Sequence, residues 1–182
     1  MQKAIDSSKR NIFLIGPMGV GKTTIGRSLA KHLHLEFIDS DQEIERRAGA
    51  DIAWIFDVEG EPGFRDREAL VINDLSQRQG VLIATGGGSI LRPENRACLR
   101  ARGIIIFLDT TLEMQLKRTA KDTKRPLLRT GNPAAVLREL KQARDPLYNE
   151  LADIKVVVGE NGGKRVMGAI MKKLSELNCQ DL

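Results

Sequence analysis

Cysteine is scarce, with only Cys98 and Cys179 in 182 residues. They have neither the spacing of a zinc site nor enough partners for a disulfide framework, so two reduced thiols are the simplest expectation. Aromatic residues make up 4% of the chain. That is too few for the stacking platforms on which single-stranded nucleic acids are held. No apolar stretch approaches the roughly 20 residues of a membrane helix. Met1 to Arg10 contains no apolar h-region, so a secretory signal is not expected and a cytoplasmic protein is. Internal repeats and low-complexity tracts are absent, and so is an Asn-Lys-x-Asp segment of the kind that reads guanine in regulatory GTP switches.

What remains is an ordinary globular composition, 41% hydrophobic and 29% charged. The length suits one domain able to bury about 70% of its unfolded surface. The net charge of +5 and pI near 9.4 point to anionic partners. Small anionic ligands account for the charge at least as well as nucleic acid, whose binding would weaken steeply with salt.

Apolar runs alternate with helical patterns along the chain, which predicts an α/β fold with a parallel sheet flanked by helices. Candidate strands are Ile12 to Ile15, Leu35 to Ile38, Val81 to Ala84, Ile104 to Leu108 and Ile154 to Val158. Candidate helices are Thr23 to Leu33, Gly63 to Gln79, Pro93 to about Ala101 and Lys164 to Leu177. Asp41 to Gly60 reads as two short helices broken at Gly49 to Asp51. Thr119 to Pro133 is polar, basic and rich in turn formers, and a loop of that length is usually functional or disordered. Both insertions are expected at the carboxyl ends of strands, where open α/β sheets bind ligands.

The octet Gly16-Pro-Met-Gly-Val-Gly-Lys-Thr23 meets G-x-x-x-x-G-K-[ST] at every fixed position, directly after an apolar run. Such a loop wraps a phosphate with backbone N–H groups and aims a helix N-terminus at it. Lys22 can reach the β- and γ-phosphates, and the Thr23 hydroxyl can ligate Mg²⁺.

Asp39-Ser-Asp41 closes the second strand, and alternation along an extended segment points both carboxylates toward the phosphate loop. One can serve Mg²⁺ and the other can take a hydroxyl proton, although an Asp here is also good helix-capping chemistry. Arg65 and Arg144 would each read alone as a surface arginine. Together they can clamp an acidic substrate, with Pro146 expected to end or redirect the helix that carries Arg144. Thr85-Gly-Gly-Gly-Ser89 follows a strand and offers a further surface of backbone donors. Arg118, Lys121, Lys124, Arg125 and Arg129 make a basic segment that could close as a lid. His32 and His34 read as structural. Trp54 reads as core, with a contact between its ring edge and substrate left open.

The ordered set of Gly16 to Gly26, Asp39-Ser-Asp41, Phe64-Arg65, Thr85 to Gly88, Lys124-Arg-Pro-Leu-Leu128 and Arg144-Asp-Pro-Leu-Tyr148 resembles the bacterial shikimate kinase family over essentially the whole chain. The resemblance implies a five-stranded parallel sheet like that of P-loop nucleoside monophosphate kinases, in a monomer. It forms one domain, 1–182, with a substrate-binding insertion at about 41–65 and a lid at about 119–133. It implies phosphorylation of the 3-hydroxyl of shikimate by ATP, a step of aromatic amino acid biosynthesis. Nucleotide contacts then fall to Gly19, Val20, Gly21, Lys22, Thr23, Thr24, Arg118 beside adenine, and Arg125 on the phosphates. Shikimate falls to Asp41, Arg65, Gly86, Gly87, Gly88 and Arg144, with Lys22, Asp41 and Arg125 catalytic and one Mg²⁺ at Thr23 and Asp39. Thr23 stands where many relatives carry Ser, and Gly159 to Gly163 matches no familiar adenine loop. A gluconate-type sugar-acid kinase would share the phosphate loop but is not expected to combine the glycine triplet with both arginines.

Overall fold

The computed structural model describes residues 11–120, 126–128, 132–160 and 162–180. Five strands form one parallel sheet: β1 (Asn11–Ile15), β2 (Glu36–Asp39), β3 (Val81–Ala84), β4 (Gly103–Asp109) and β5 (Ile154–Val157), in the order β2-β3-β1-β4-β5. β1 and β4 are apolar on both sides because helices cover both faces of a parallel sheet. Ile12, Leu14, Ile106 and Leu108 face one apolar layer with Ile25, Leu29, Ile170 and Leu174. Phe13, Ile15, Ile105 and Phe107 face the other with Phe64, Ile72, Leu75, Leu99 and Tyr148.

The helices are α1 (Lys22–Leu33), α2 (Ser40–Ala48), α3 (Ile52–Ser76), α4 (Pro93–Arg102), α5 (Leu112–Thr119), α6 (Pro133–Leu151) and α7 (Gly162–Gln180). A short 3₁₀ turn spans Pro126–Leu128. α1 ends on His34 in the left-handed conformation, the structural role expected of that residue. The break expected at Gly49 to Asp51 is present, with the Asp51 side chain capping α3 through Trp54 N at 2.7 Å. α3 is in effect two helices, because Gly60 adopts φ 70° and ψ 178° and Pro62 follows it. Only glycine enters that conformation cheaply, and proline suits the first turn after it.

Three expectations need correction. Strand β2 stops at Asp39, so Asp41 lies in the first turn of α2 and not on an extended segment. Pro146 does not end its helix, for α6 runs through it to Leu151. Burial of Leu137, Arg144, Tyr148 and Leu151 along α6 outweighs the single hydrogen bond that proline removes. Trp54 is 51% exposed and is not core, while its neighbours Ile52 and Phe56 turn toward a cleft.

Candidate active site

The carboxyl ends of β1, β2 and β3 open into a cleft of about 400 Å³, walled by the phosphate loop, α2, α3, the glycine turn and α6. The loop from Gly16 to Gly21 holds three glycines at positive φ, which lets its backbone curl. Lys22 Nζ donates to Gly16 O at 2.7 Å and Pro17 O at 2.9 Å, so the ammonium is held over the loop.

Asp39 does two things at once. Its Oδ1 accepts from Asp41 N and Gln42 N at 3.0 and 3.3 Å, which caps α2. Its Oδ2 accepts the Thr23 hydroxyl at 2.7 Å. The capping reading of this residue holds, and its second oxygen is left on the Thr23 hydroxyl. A hydroxyl and a carboxylate in contact at the rim of the phosphate loop fit Mg²⁺, which takes one or two protein oxygens and keeps several waters.

Thr85 anchors the glycine turn by donating its hydroxyl to Leu14 O, and Gly86 N donates to Ser40 Oγ. Gly86 and Gly88 are needed for closeness. A Cβ on Gly86 would stand 2.7 Å from Asp41 Oδ1 and 2.8 Å from Glu68 Oε1, and one on Gly88 would collide with the Arg65 guanidinium. At Gly87 a Cβ would lie 3.4 Å from Arg144 Nη1. The turn thus brings bare backbone against two arginines and two carboxylates.

Both arginines are buried, Arg65 to 8% and Arg144 to 5% exposure. Arg65 donates to Glu68 Oε2 at 2.8 Å and, at the cleft edge, to Glu61 Oε1 at 2.9 Å. Burial draws the Arg65 guanidinium pKa down, but Glu68 and Glu61 more than offset it and the net shift is upward. Glu68 has no exposed surface. Burial raises its carboxyl above the usual range, opposed chiefly by Arg65 and then by Arg144 and Arg92. Tyr148, stacked on Phe107, donates its hydroxyl to Gly87 O and is also raised by burial.

A model described as shikimate kinase matches residues 18–175. The chain belongs to the shikimate kinase family. The shikimate kinase of Vibrio cholerae is 59% identical over 170 residues, covering 93% of this chain and 98% of that one. Its counterpart from Shewanella oneidensis is 57% identical over 168 residues, covering 92% and 98%. Among solved structures, the shikimate kinase from Acinetobacter baumannii in complex with shikimate superposes with a TM-score of 0.91 at 47% identity, covering 93% and 95%. A gluconokinase from Sinorhizobium meliloti, 15% identical with a TM-score of 0.56, shares the fold.

Of the residues expected to form a shikimate kinase site, Thr23, Asp39, Asp41, Arg65, Gly86, Gly87, Gly88 and Arg144 line the one cleft. Arg118 stands apart from it, donating to Val20 O at 3.0 Å and Gly159 O at 3.1 Å, and so joins the phosphate loop to the turn after β5. Arg125, with Lys121, Lys124 and Arg129, lies outside the described residues. Leu127 reaches the cleft from the 3₁₀ turn.

Glu68, Phe56 and Met18 also line the cleft and were not singled out from the sequence. Glu68 had a readable signal. It occupies an apolar-stripe position of α3 with Phe64, Ile72 and Leu75, where a charge needs a partner, and Arg65 stands three residues before it.

Proposed function

We propose that this chain transfers the γ-phosphoryl group of ATP to the 3-hydroxyl of shikimate, giving shikimate 3-phosphate and ADP. The observation that carries the reading is the pair of buried arginines meeting bare backbone at Gly86 to Gly88, in the same cleft as the phosphate loop. A carboxylate seated there replaces solvent for Arg65 and Arg144 and accepts charge-assisted hydrogen bonds. The ring hydroxyls then face Asp41, and the acceptor oxygen faces Lys22 and the loop.

In this reading Lys22, the loop backbone from Gly19 to Gly21, Thr23 and Thr24 hold the nucleotide phosphates. Arg118 lies beside the adenine, and Arg125 reaches the phosphates from the segment at about 119–133. Thr23 and Asp39 hold one Mg²⁺, which neutralises phosphate charge when bound. Asp41 orients the acceptor hydroxyl and takes its proton. The enzyme acts as a cytoplasmic monomer of one domain, with the substrate-binding insertion at about 41–65.

ADP release by the purified chain should rise well above background only when shikimate is added with ATP, and gluconate should not replace it. Equal release with both acids, or with neither, would overturn the assignment.

The clamp has its own expected result. Arg65→Ala and Arg144→Ala should each weaken shikimate binding by about 1.5–3 kcal/mol, the worth of a charge-assisted hydrogen bond, while ADP affinity stays unchanged. Arg65→Ala also strands Glu68, so its thermal midpoint should drop unless Glu68→Gln accompanies it. Calorimetry with each ligand decides the matter, and unchanged shikimate affinity in both variants would remove the arginines from the site.

A further inference from the structure

α5 was not anticipated as an element, and its inner face is the surface against which the phosphate loop rests. Gln115 is 2% exposed, and its Nε2 donates to Met18 O at 3.1 Å. One turn later Arg118 donates to Val20 O and, at 3.3 Å, to Gly19 O. Thr119 approaches Gly19 so closely that a Cβ there would stand 3.0 Å from its methyl. Three consecutive loop carbonyls are thus held from one side by one helix. In a trans peptide the C=O of one residue and the N–H of the next point opposite ways. Fixing Met18 O toward α5 therefore turns the Gly19 N–H away from α5 and into the loop.

Gln115 has a feature that packing does not explain. Its Oε1 is buried with no hydrogen-bond partner among the described residues. A buried, unsatisfied acceptor costs free energy that leucine or methionine at the same place would avoid. The polar end that does find a partner is the donor, and the partner is the loop. Met18 also lines the substrate cleft, and its backbone N would lie 3.5 Å from a Cβ on Gly87. The residue whose carbonyl Gln115 holds thus lies between the phosphate loop and the glycine turn.

We propose that Gln115 is a positioning residue of the phosphate loop, fixing the Met18–Gly19 peptide so that its N–H is presented to the nucleotide phosphates. The inference rests on the kinase reading above, and it assigns Gln115 no contact with either substrate. The decisive variant is Gln115→Met, which keeps length and apolar bulk but loses the donor. By calorimetry it should bind Mg²⁺–ADP about three- to tenfold more weakly, the worth of one hydrogen bond. Shikimate affinity should stay within about twofold and the thermal midpoint near that of the unmodified chain, because the volume is conserved. In turnover the KM for ATP should rise while the KM for shikimate holds.

ADP affinity that does not change would overturn the proposal. So would a joint loss of both affinities with a lowered thermal midpoint, since that is what a purely structural residue produces. If Gln115→Met does not fold, Gln115→Leu takes its place, and failure of both would make Gln115 a core residue and overturn the proposal. An unmodified chain that fails to bind ADP would instead overturn the phosphate-loop reading beneath it. A chain that binds, with a variant that binds equally well, removes only Gln115.

Discussion

Lys22→Ala should lower turnover by about 10²-fold or more while the chain keeps its fold and most of its thermal stability. The ammonium donates to the carbonyls of Gly16 and Pro17, at the first position of α1 and outside both apolar layers. Its side chain belongs to neither apolar layer, so its removal takes nothing from the core. The loss falls on the transition state, where charge spreads over the transferring phosphoryl oxygens and a preorganised cation is worth most. Steady-state ADP release and a thermal melt on the same sample separate these effects. Activity within about twofold of the unmodified chain would show that Lys22 does not stabilise that charge. A collapse of the melt would show that the lysine is structural.

Much of this was legible from local sequence, because local rules govern it. The octet dictates a strand, a glycine-rich curl and a helix start, and the structure builds all three in that order. Asp39 was readable as a cap, and the structure uses one of its oxygens for that while the other accepts the Thr23 hydroxyl. The geometry of Asp41 was misjudged because the strand register was extended two residues too far, across a cap that starts a helix at Ser40. α5 escaped because it is only eight residues long, its helical stripe is the single pair Leu112 and Leu116, and it is anchored by polar contacts to the phosphate loop. Gln115 was invisible for the same reason, since its partner Met18 is 97 residues away. Arg144 was singled out from the sequence, but the run of α6 through Pro146 was not, because packing of Tyr148 and Leu151 against the sheet decides it.

The second large effect separates the two aspartates. Asp41→Asn keeps size and hydrogen-bonding reach but cannot accept a proton, so kcat should fall by about 10²–10⁴ with the Mg²⁺ requirement unchanged. Asp39→Asn should do the reverse, raising the Mg²⁺ needed for half-maximal rate with a smaller loss at saturating metal. The structure makes this pair a clean comparison. Asn caps a helix about as well as Asp, so the bonds from Asp41 N and Gln42 N survive and α2 stays in place. What Asp39→Asn changes is the oxygen facing the Thr23 hydroxyl. Asp41 faces Gly86 across the turn and stands in the cleft wall with Arg65 and Arg144. Phosphoryl transfer is largely dissociative, so little proton transfer is needed before the phosphoryl group leaves. A loss at the low end of the range therefore marks Asp41 as the group that aims the hydroxyl, and a loss at the high end marks it as the base. Metal titrations at fixed ATP and shikimate decide between the two residues. If Asp41→Asn shifted only the Mg²⁺ curve while Asp39→Asn lowered kcat, the roles would be exchanged, and α2 would present its first-turn carboxylate to the metal.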